Sequence, residues 1–189
     1  MMADFFSPLT LAVKQGDVDA VKDLVCQGAD VNSRDFAVNP LAIAISENYV
    51  DMIRALAALG ADLNTPNVNG AYTPAHVAVH QGHEATIRAL AELGADFNTP
   101  NNQGATPAHI TAQQGYDATM RTLSELGADL NTPNSNGTTP ACAAAQNGHE
   151  ATIRTLAELG GDLNTPNNNG TTPACAAAQN GHEATIRAL

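Results

Sequence analysis

The chain is 189 residues long, 43% hydrophobic and 14% charged, which is enough apolar content to fold. Only 4% is aromatic and Trp is absent, so Ala, Leu, Ile and Val must carry the core. A formal net charge of -11 opposes phosphate backbones, whose affinity comes from clustered Lys and Arg, and excludes nucleic acid as an expected partner.

At the start of the chain, Met1 to Ala20 lack a basic segment followed by an apolar one. No apolar run anywhere approaches the roughly 18 residues of a membrane span, so neither export nor direct membrane insertion is expected. Cys26, Cys142 and Cys175 form neither a disulfide framework nor a C-x-x-C metal motif. They fit a reducing interior, cytoplasmic in the first place and nuclear as the alternative.

Six prolines then set a period. Pro8, Pro40, Pro74, Pro107, Pro140 and Pro173 are spaced 32, 34, 33, 33 and 33 residues apart, and Gly28, Gly60, Gly94, Gly127 and Gly160 follow in step. A fixed period in this range is the signature of a repeat architecture. It divides a single domain, 1–189, into units 1–34, 35–66, 67–100, 101–133, 134–166 and an unfinished 167–189. Fingers one residue short and one residue long in units 2 and 3 should disturb the stack near Val38 and Tyr72.

In unit 101–133, Thr106 is a helix cap and Pro107 suits a first helical turn, so helix A is expected through Ala108 to Ala112, ending at Gly115. Helix B is expected over Asp117 to Leu126, with Met120, Leu123 and Leu126 at helical spacing and Gly127 as its stop. The segment from Gly127 to Gly137 ends in an Asn-Gly turn signal and reads as a hairpin-like finger joining one unit to the next. Two short helices and a finger enclose almost nothing, so units must cover one another in an all-α repeat solenoid with nearest-neighbour stability.

The motifs resemble the ankyrin repeat. Unit 3 has T-P-A-H at 73–76, Q-G-H at 81–83 and G-A-D-F-N at 94–98; unit 4 has T-P-A-H at 106–109 and G-A-D-L-N at 127–131; unit 1 matches through Ser7-Pro8-Leu9 and Gly28 to Asn32. Several departures accompany the likeness. Ala75, Ala108, Ala141 and Ala174 replace the family's Leu after T-P, and Ala89 and Ala91 thin helix B, so either the helices approach more closely or stability is modest. Leu93, Leu126 and Leu159 stand where the family is often polar and recover part of the core. Asn67, Asn101, Asn134 and Asn167 replace the finger-tip Asp and keep its turn-making oxygen without the charge. The stop at Leu189, inside helix B of unit 6, is the pattern expected of a piece of a longer array.

Chemistry is sparse. Glu84-Arg88-Glu92, Asp117-Arg121-Glu125 and Glu150-Arg154-Glu158 run at i, i+4 spacing and read as a solvated outer face rather than an acidic docking strip. His76, His80 and His83 have metal-like spacing, but the resemblance gives His76 and His83 structural hydrogen bonds, so no metal is expected. Cys142 and Cys175 stand at the T-P-x-H histidine position. Stacked helices lie about 8–10 Å apart, too far for a disulfide, so both read as small core residues. No phosphate loop, H-E-x-x-H or nucleophile with a base is present, and the expectation is no enzyme and no cofactor.

The resemblance implies another protein as partner, bound by a largely monomeric chain along a concave surface of finger tips and exposed helix A ends. By motif position this surface comprises Val68, Asn69, Tyr72, His80 and Gln81 in unit 3, and Asn102, Gln103, Gln113 and Gln114 in unit 4. It continues with Ser135, Asn136, Gln146 and Asn147 in unit 5, and Asn168, Asn169, Gln179 and Asn180 in unit 6. Amides dominate it, and the irregular fingers carrying Phe36, Val68 and Tyr72 supply its anchors. Residues 167–189 differ from 134–156 only at Ser135/Asn168 and Thr155/Ala188. A surface copied in this way suits a repetitive partner or a passive spacer; separately, an enzyme domain outside this segment would make these repeats a recruiter of its substrate.

Overall fold

The computed structural model describes residues 6–34, 39–67 and 70–189. Phe36, Val38, Val68 and Asn69 lie outside these. Among the described residues there are twelve helices in six consecutive pairs and no strand: α1 (Pro8–Gln15) with α2 (Val18–Cys26), α3 (Pro40–Ser46) with α4 (Val50–Ala58), α5 (Pro74–Gln81) with α6 (Glu84–Glu92), α7 (Pro107–Gln114) with α8 (Asp117–Glu125), α9 (Pro140–Gln146) with α10 (Glu150–Glu158), and α11 (Pro173–Gln179) with α12 (Glu183–Ala188). They gather into two compact units, one ending at Asp96 and one spanning Phe97–Leu189.

The first helix of each pair starts for a local reason. Proline occupies its first turn, where its missing N–H costs nothing, and the preceding side chain caps the exposed amides. Asn39 Oδ1 accepts from Ala42 N at 2.7 Å, Ser7 Oγ from Thr10 N at 3.2 Å, and Thr139 Oγ1 from Cys142 N at 3.3 Å. Helix α7 ends at Gly115, whose φ of 75° is the left-handed geometry a glycine stop needs. The second helix of the pair ends at Glu125, one residue before the expected Leu126. Ala128 N closes onto Leu123 O at 2.9 Å and Gly127 N onto Ser124 O at 3.0 Å, so Leu126 becomes the cap.

The two compact units fill their cores differently. In the first, the large fully buried side chains come from both helices of a pair: Leu9, Leu41 and Ile45 from α1 and α3, Met52, Ile53, Leu56, Ile87 and Leu90 from α4 and α6. In the second they come only from the later helix of each pair, as Met120, Leu123, Ile153 and Leu156, while α7 and α9 bury Ala108, Ala112, Ala141, Ala144 and Ala145. Small side chains let backbones come together, and α7, α9 and α11 lie closer to one another than α1, α3 and α5 do. In the second unit, closer approach of the first helices accompanies the replacement of Leu by Ala108 and Ala141. Ala174 is exposed, and among the described residues no helix pair lies over α11.

Fingers are tied by side-chain amides. Asn101, Asn134 and Asn167 each accept two backbone N–H groups through Oδ1, at 2.9 and 3.0 Å for Asn101 and Asn134 and 3.0 Å twice for Asn167, so the exchange of Asp for Asn does preserve the turn. A second column links successive repeats. Asn32 Oδ1 accepts from Asp62 N at 2.8 Å and Asn64 from Asp96 N at 2.8 Å in the first compact unit; Asn98 accepts from Asp129 N and Asn131 from Asp162 N, both at 2.7 Å, in the second. Each Asp in turn holds its own loop, as when Asp129 accepts Asn131 N and the Thr132 hydroxyl at 2.8 Å. These bonds to the charged form hold the carboxyls of Asp62, Asp129 and Asp162 below the ordinary value, led by the Thr65 hydroxyl at Asp62, the Asn131 amide at Asp129 and the Thr165 hydroxyl at Asp162.

Candidate binding surface

The histidines with metal-like spacing are occupied structurally. His76 is buried, and its Nδ1 accepts from Thr73 N at 3.2 Å. His83 Nδ1 faces Ile45 O at 3.1 Å, and exposed His80 stands edge-on to Tyr72 with ring centroids 6.0 Å apart. Among the described residues no three His, Cys, Asp or Glu side chains gather as a metal site. His109 shows the role of the T-P-x-H histidine most fully. Its Nδ1 accepts from Thr106 N at 3.0 Å, and its Nε2 donates to Thr138 O at 2.8 Å in the following repeat. Desolvation by burial lowers its pKa, only partly offset by that bond to Thr138. Cys142, at the equivalent place, is buried and burial pushes its thiol pKa up, leaving it protonated and unreactive. Cys175 corrects the sequence expectation: it is exposed rather than a core residue, as at Ala174, where no described helix pair lies over α11.

Of the predicted contact positions, His80, Gln81, Asn102, Gln103, Gln113, Gln114, Ser135, Asn136, Gln146, Asn147, Asn168, Asn169, Gln179 and Asn180 are exposed, and Tyr72 is half-buried. Several also hold the scaffold. Asn147 Nδ2 donates to Ala143 O at 2.8 Å and Asn180 Nδ2 to Ala176 O at 2.9 Å, so both cap their own helices. Ser135 N donates to Gln103 O and Asn168 N to Asn136 O, each at 3.0 Å, which zips neighbouring finger tips together. The Gln113 and Gln146 carbonyls are taken by His149 Nε2 at 2.9 Å and His182 Nε2 at 3.1 Å. The Gln side chains belong to none of these bonds and remain turned to solvent.

A feature that the sequence reading missed adjoins Tyr72. An open cleft, mostly apolar in its walls, lies between the second and third repeats with Arg34 from the end of the first at its edge, lined among others by Asn39, Ala42, Asn67, Tyr72 and Val77. The signal in the sequence was Arg34, a cation on a finger in a chain whose other cations all fall within helices.

The opposite, helix B face carries the ion pairs. Arg88, Arg154 and Arg187 pair with Glu84, Glu150 and Glu183 four residues earlier. Arg54 and Arg121 instead reach the next repeat, meeting Glu92 and Glu158 at 2.6 Å. The cause is local: Val50 offers Arg54 no charge, and Asp117 is one methylene shorter than the Glu that serves the others. All these groups are well exposed, so each pair contributes only ~0.2–1 kcal/mol. Among the described residues no helix is long and apolar enough to cross a membrane.

Consecutive capped helix pairs, tied by amide columns within each compact unit, define an all-α repeat protein. The chain belongs to the ankyrin-repeat family: the family model for ankyrin repeats (three copies) matches residues 3–67, 41–134 and 108–189. It is similar to an ankyrin repeat domain from Acinetobacter baumannii AYE, solved at 1.00 Å resolution, with a TM-score of 0.84, 26% identity, and coverage of 96% of this chain and 95% of that one. No curated protein gives a match. Ankyrin repeats are in general protein-interaction modules and typically non-catalytic.

Proposed function

We propose that the chain binds a partner polypeptide through its finger tips and the exposed ends of its first helices. One observation carries this reading. In the compact unit from Phe97, the twelve contact positions are exposed and uncharged, while the arginines are drawn into ion pairs on the helix B face. Such a surface does not attract polyanions, and its Gln carboxamides, which take no part in the scaffold bonds of Asn147, Asn168 and Asn180, both donate and accept hydrogen bonds. Tyr72 and its cleft add the apolar anchorage that amides lack. Substituting Tyr72 by Ala should weaken a bound peptide about tenfold or more.

The spacer reading has its own support in the near-identity of 134–156 and 167–189. The two separate in one experiment: the folded chain is titrated with peptides selected on it, then the triple variant Gln113→Ala, Gln146→Ala, Gln179→Ala is titrated with the same peptides. An interaction module shows saturable binding that the triple variant or Tyr72→Ala weakens. Absence of any saturable peptide would favour the spacer.

A further inference from the structure

We infer that the cleft between the second and third repeats is a docking site for an acidic peptide segment, taking an aliphatic side chain onto its apolar wall and the neighbouring Asp or Glu carboxylate against Arg34. The inference rests on the interaction-module reading and gives it a partner chemistry. Charge provides the first argument. The chain has eight Lys and Arg. Six are ion-paired, namely Lys22, Arg54, Arg88, Arg121, Arg154 and Arg187. Lys14 sits 4.0 Å over the centre of the Phe6 ring. Arg34 alone has neither arrangement among the described residues. It is exposed, it donates through Nη2 to Pro66 O at 3.2 Å, and its fork of five N–H donors has more to give. The nearby Asp62 carboxylate, whose pKa the Arg34 charge helps to lower, spends its hydrogen bonds on Asn64 N and on the amide and hydroxyl of Thr65, so the guanidinium is left without a direct carboxylate contact.

Hydrogen-bond polarity provides the second. Asn39 uses its side-chain oxygen on Ala42 N, and Asn67 uses its own on Ala71 N at 3.0 Å. What each carboxamide still has to offer is its NH2. The Thr73 hydroxyl is engaged with His76 Nδ1 at 2.8 Å, and that of Thr65 donates to Asp62. The side-chain groups remaining at the rim are thus mainly donors: one guanidinium and two amides, beside the Tyr72 hydroxyl, which can donate as well as accept. A group that only accepts, and carries negative charge, is their complement, which is a carboxylate rather than an amine. The wall supplies the other half, since Ala42, Tyr72 and Val77 present apolar surface that a methylene chain would cover. At long range the net charge of -11 opposes an acidic partner. The contact must therefore work within a Debye length, roughly 8 Å at physiological salt, and rely on the apolar wall as well as on the guanidinium.

The test is selection of a displayed library of random short peptides on the immobilised full chain at physiological salt. Enriched peptides are then measured by fluorescence polarisation against wild type, Arg34→Met, Arg34→Glu and Tyr72→Ala, each checked for an unchanged thermal unfolding curve. Enriched peptides should share an Asp or Glu beside an aliphatic residue, and Arg34→Met should weaken them about tenfold or more. Selection repeated on Arg34→Glu should bring up Lys or Arg in the same place, a gain that misfolding cannot produce. Peptides enriched without an acidic residue, or bound equally by Arg34→Met, would overturn the cleft assignment. If those same peptides were weakened by the triple glutamine variant, the interaction reading would survive the loss of the cleft; a library that enriches nothing would overturn both.

Discussion

Gly148 and Gly181 form a matched pair that isolates the energy of one repeat packing on the next. Both stand in Asn-Gly-His, after identical helices, with φ of 75° and 74°. An alanine at either position meets the same backbone penalty for a left-handed L-residue, roughly 1–2 kcal/mol. Their surroundings differ. A Cβ on Gly148 would lie 2.6, 2.8 and 2.9 Å from Nδ1, Cγ and Cε1 of His182, whereas a Cβ on Gly181 meets nothing within 4 Å. Relief of that clash moves an imidazole whose Nε2 holds Gln146 O at 3.1 Å. Overpacking costs about 1–3 kcal/mol, and the strained hydrogen bond falls within that range. Gly148→Ala should therefore be destabilised by about 1–3 kcal/mol more than Gly181→Ala in urea unfolding followed by circular dichroism, with equal m-values. Equal losses would refute the reasoning. The fold also contains its own accommodation of a side chain here. Asn48, at the corresponding place with φ of 58°, has His83 bonding Ile45 O through Nδ1, and its Oδ1 accepts the Thr86 hydroxyl at 2.7 Å. The equivalent Thr185 hydroxyl is buried without a partner. Gly148→Asn should accordingly cost less than Gly148→Ala, because Asn tolerates the left-handed region and supplies Thr185 with an acceptor.

Other outcomes follow from the same geometry. Cys142→His should stabilise the chain by about 1 kcal/mol, since it restores the Thr-His cap and a donor toward Thr171 O, which the thiol meets only at 3.8 Å; a lower denaturation midpoint would count against it. On acidification, His109, whose folded pKa lies below its ordinary 6.5, contributes stability that is complete above that value and is lost as pH falls through the folded pKa. Urea midpoints measured downward from pH 7.5 should therefore decline in this window for wild type and less for His109→Cys. Below about 3.8 a second decline should come from Asp62, Asp129 and Asp162, whose lowered pKa values mean that stability present above the unfolded value disappears on protonation; a flat profile there would contradict the loop bonds. Glu158→Gln, which leaves the Arg121 bond to the Thr155 hydroxyl in place, should change stability by less than about 1 kcal/mol, and a larger loss would show the cross-repeat ion pair to be worth more than its exposure allows.

What the sequence made legible was whatever one repeat decides by itself. Proline in the first turn, Thr or Ser before it, glycine at the stop and Asn at the finger turn each act within a few residues, so helix positions and turn chemistry could be read from the chain. Bonds between repeats could not. The Asn32, Asn64, Asn98 and Asn131 column has no local signature, because each acceptor meets a donor about 30 residues away. The i, i+4 rule likewise anticipated Arg88, Arg154 and Arg187 but not Arg54 and Arg121, whose local acids are missing or too short. Cys175 is exposed where a core residue is expected, because burial belongs to the neighbour on top and not to the residue's own motif.

The same division between local and neighbour-dependent properties explains why the cleft escaped notice and why it is the sharper candidate. Periodicity directs attention to residues that recur, and the recurring surface amides are alike by construction, so nothing among them selects one ligand over another. Arg34, Asn39 and Tyr72 have no copies. They line one cleft, at the place in the sequence where a 32-residue unit is followed by one of 34. In a stack of near-identical modules, discrimination between partners needs a position where the repetition breaks, because a difference in affinity requires a contact that other sites do not offer equally. Tyr72→Ala and the triple glutamine variant therefore separate two contributions. The first should change which peptides are selected, while the second should weaken whichever peptides bind without changing their sequence preference. Reversed effects in the two selections would place specificity in the repeated amides and leave the irregular cleft without a role.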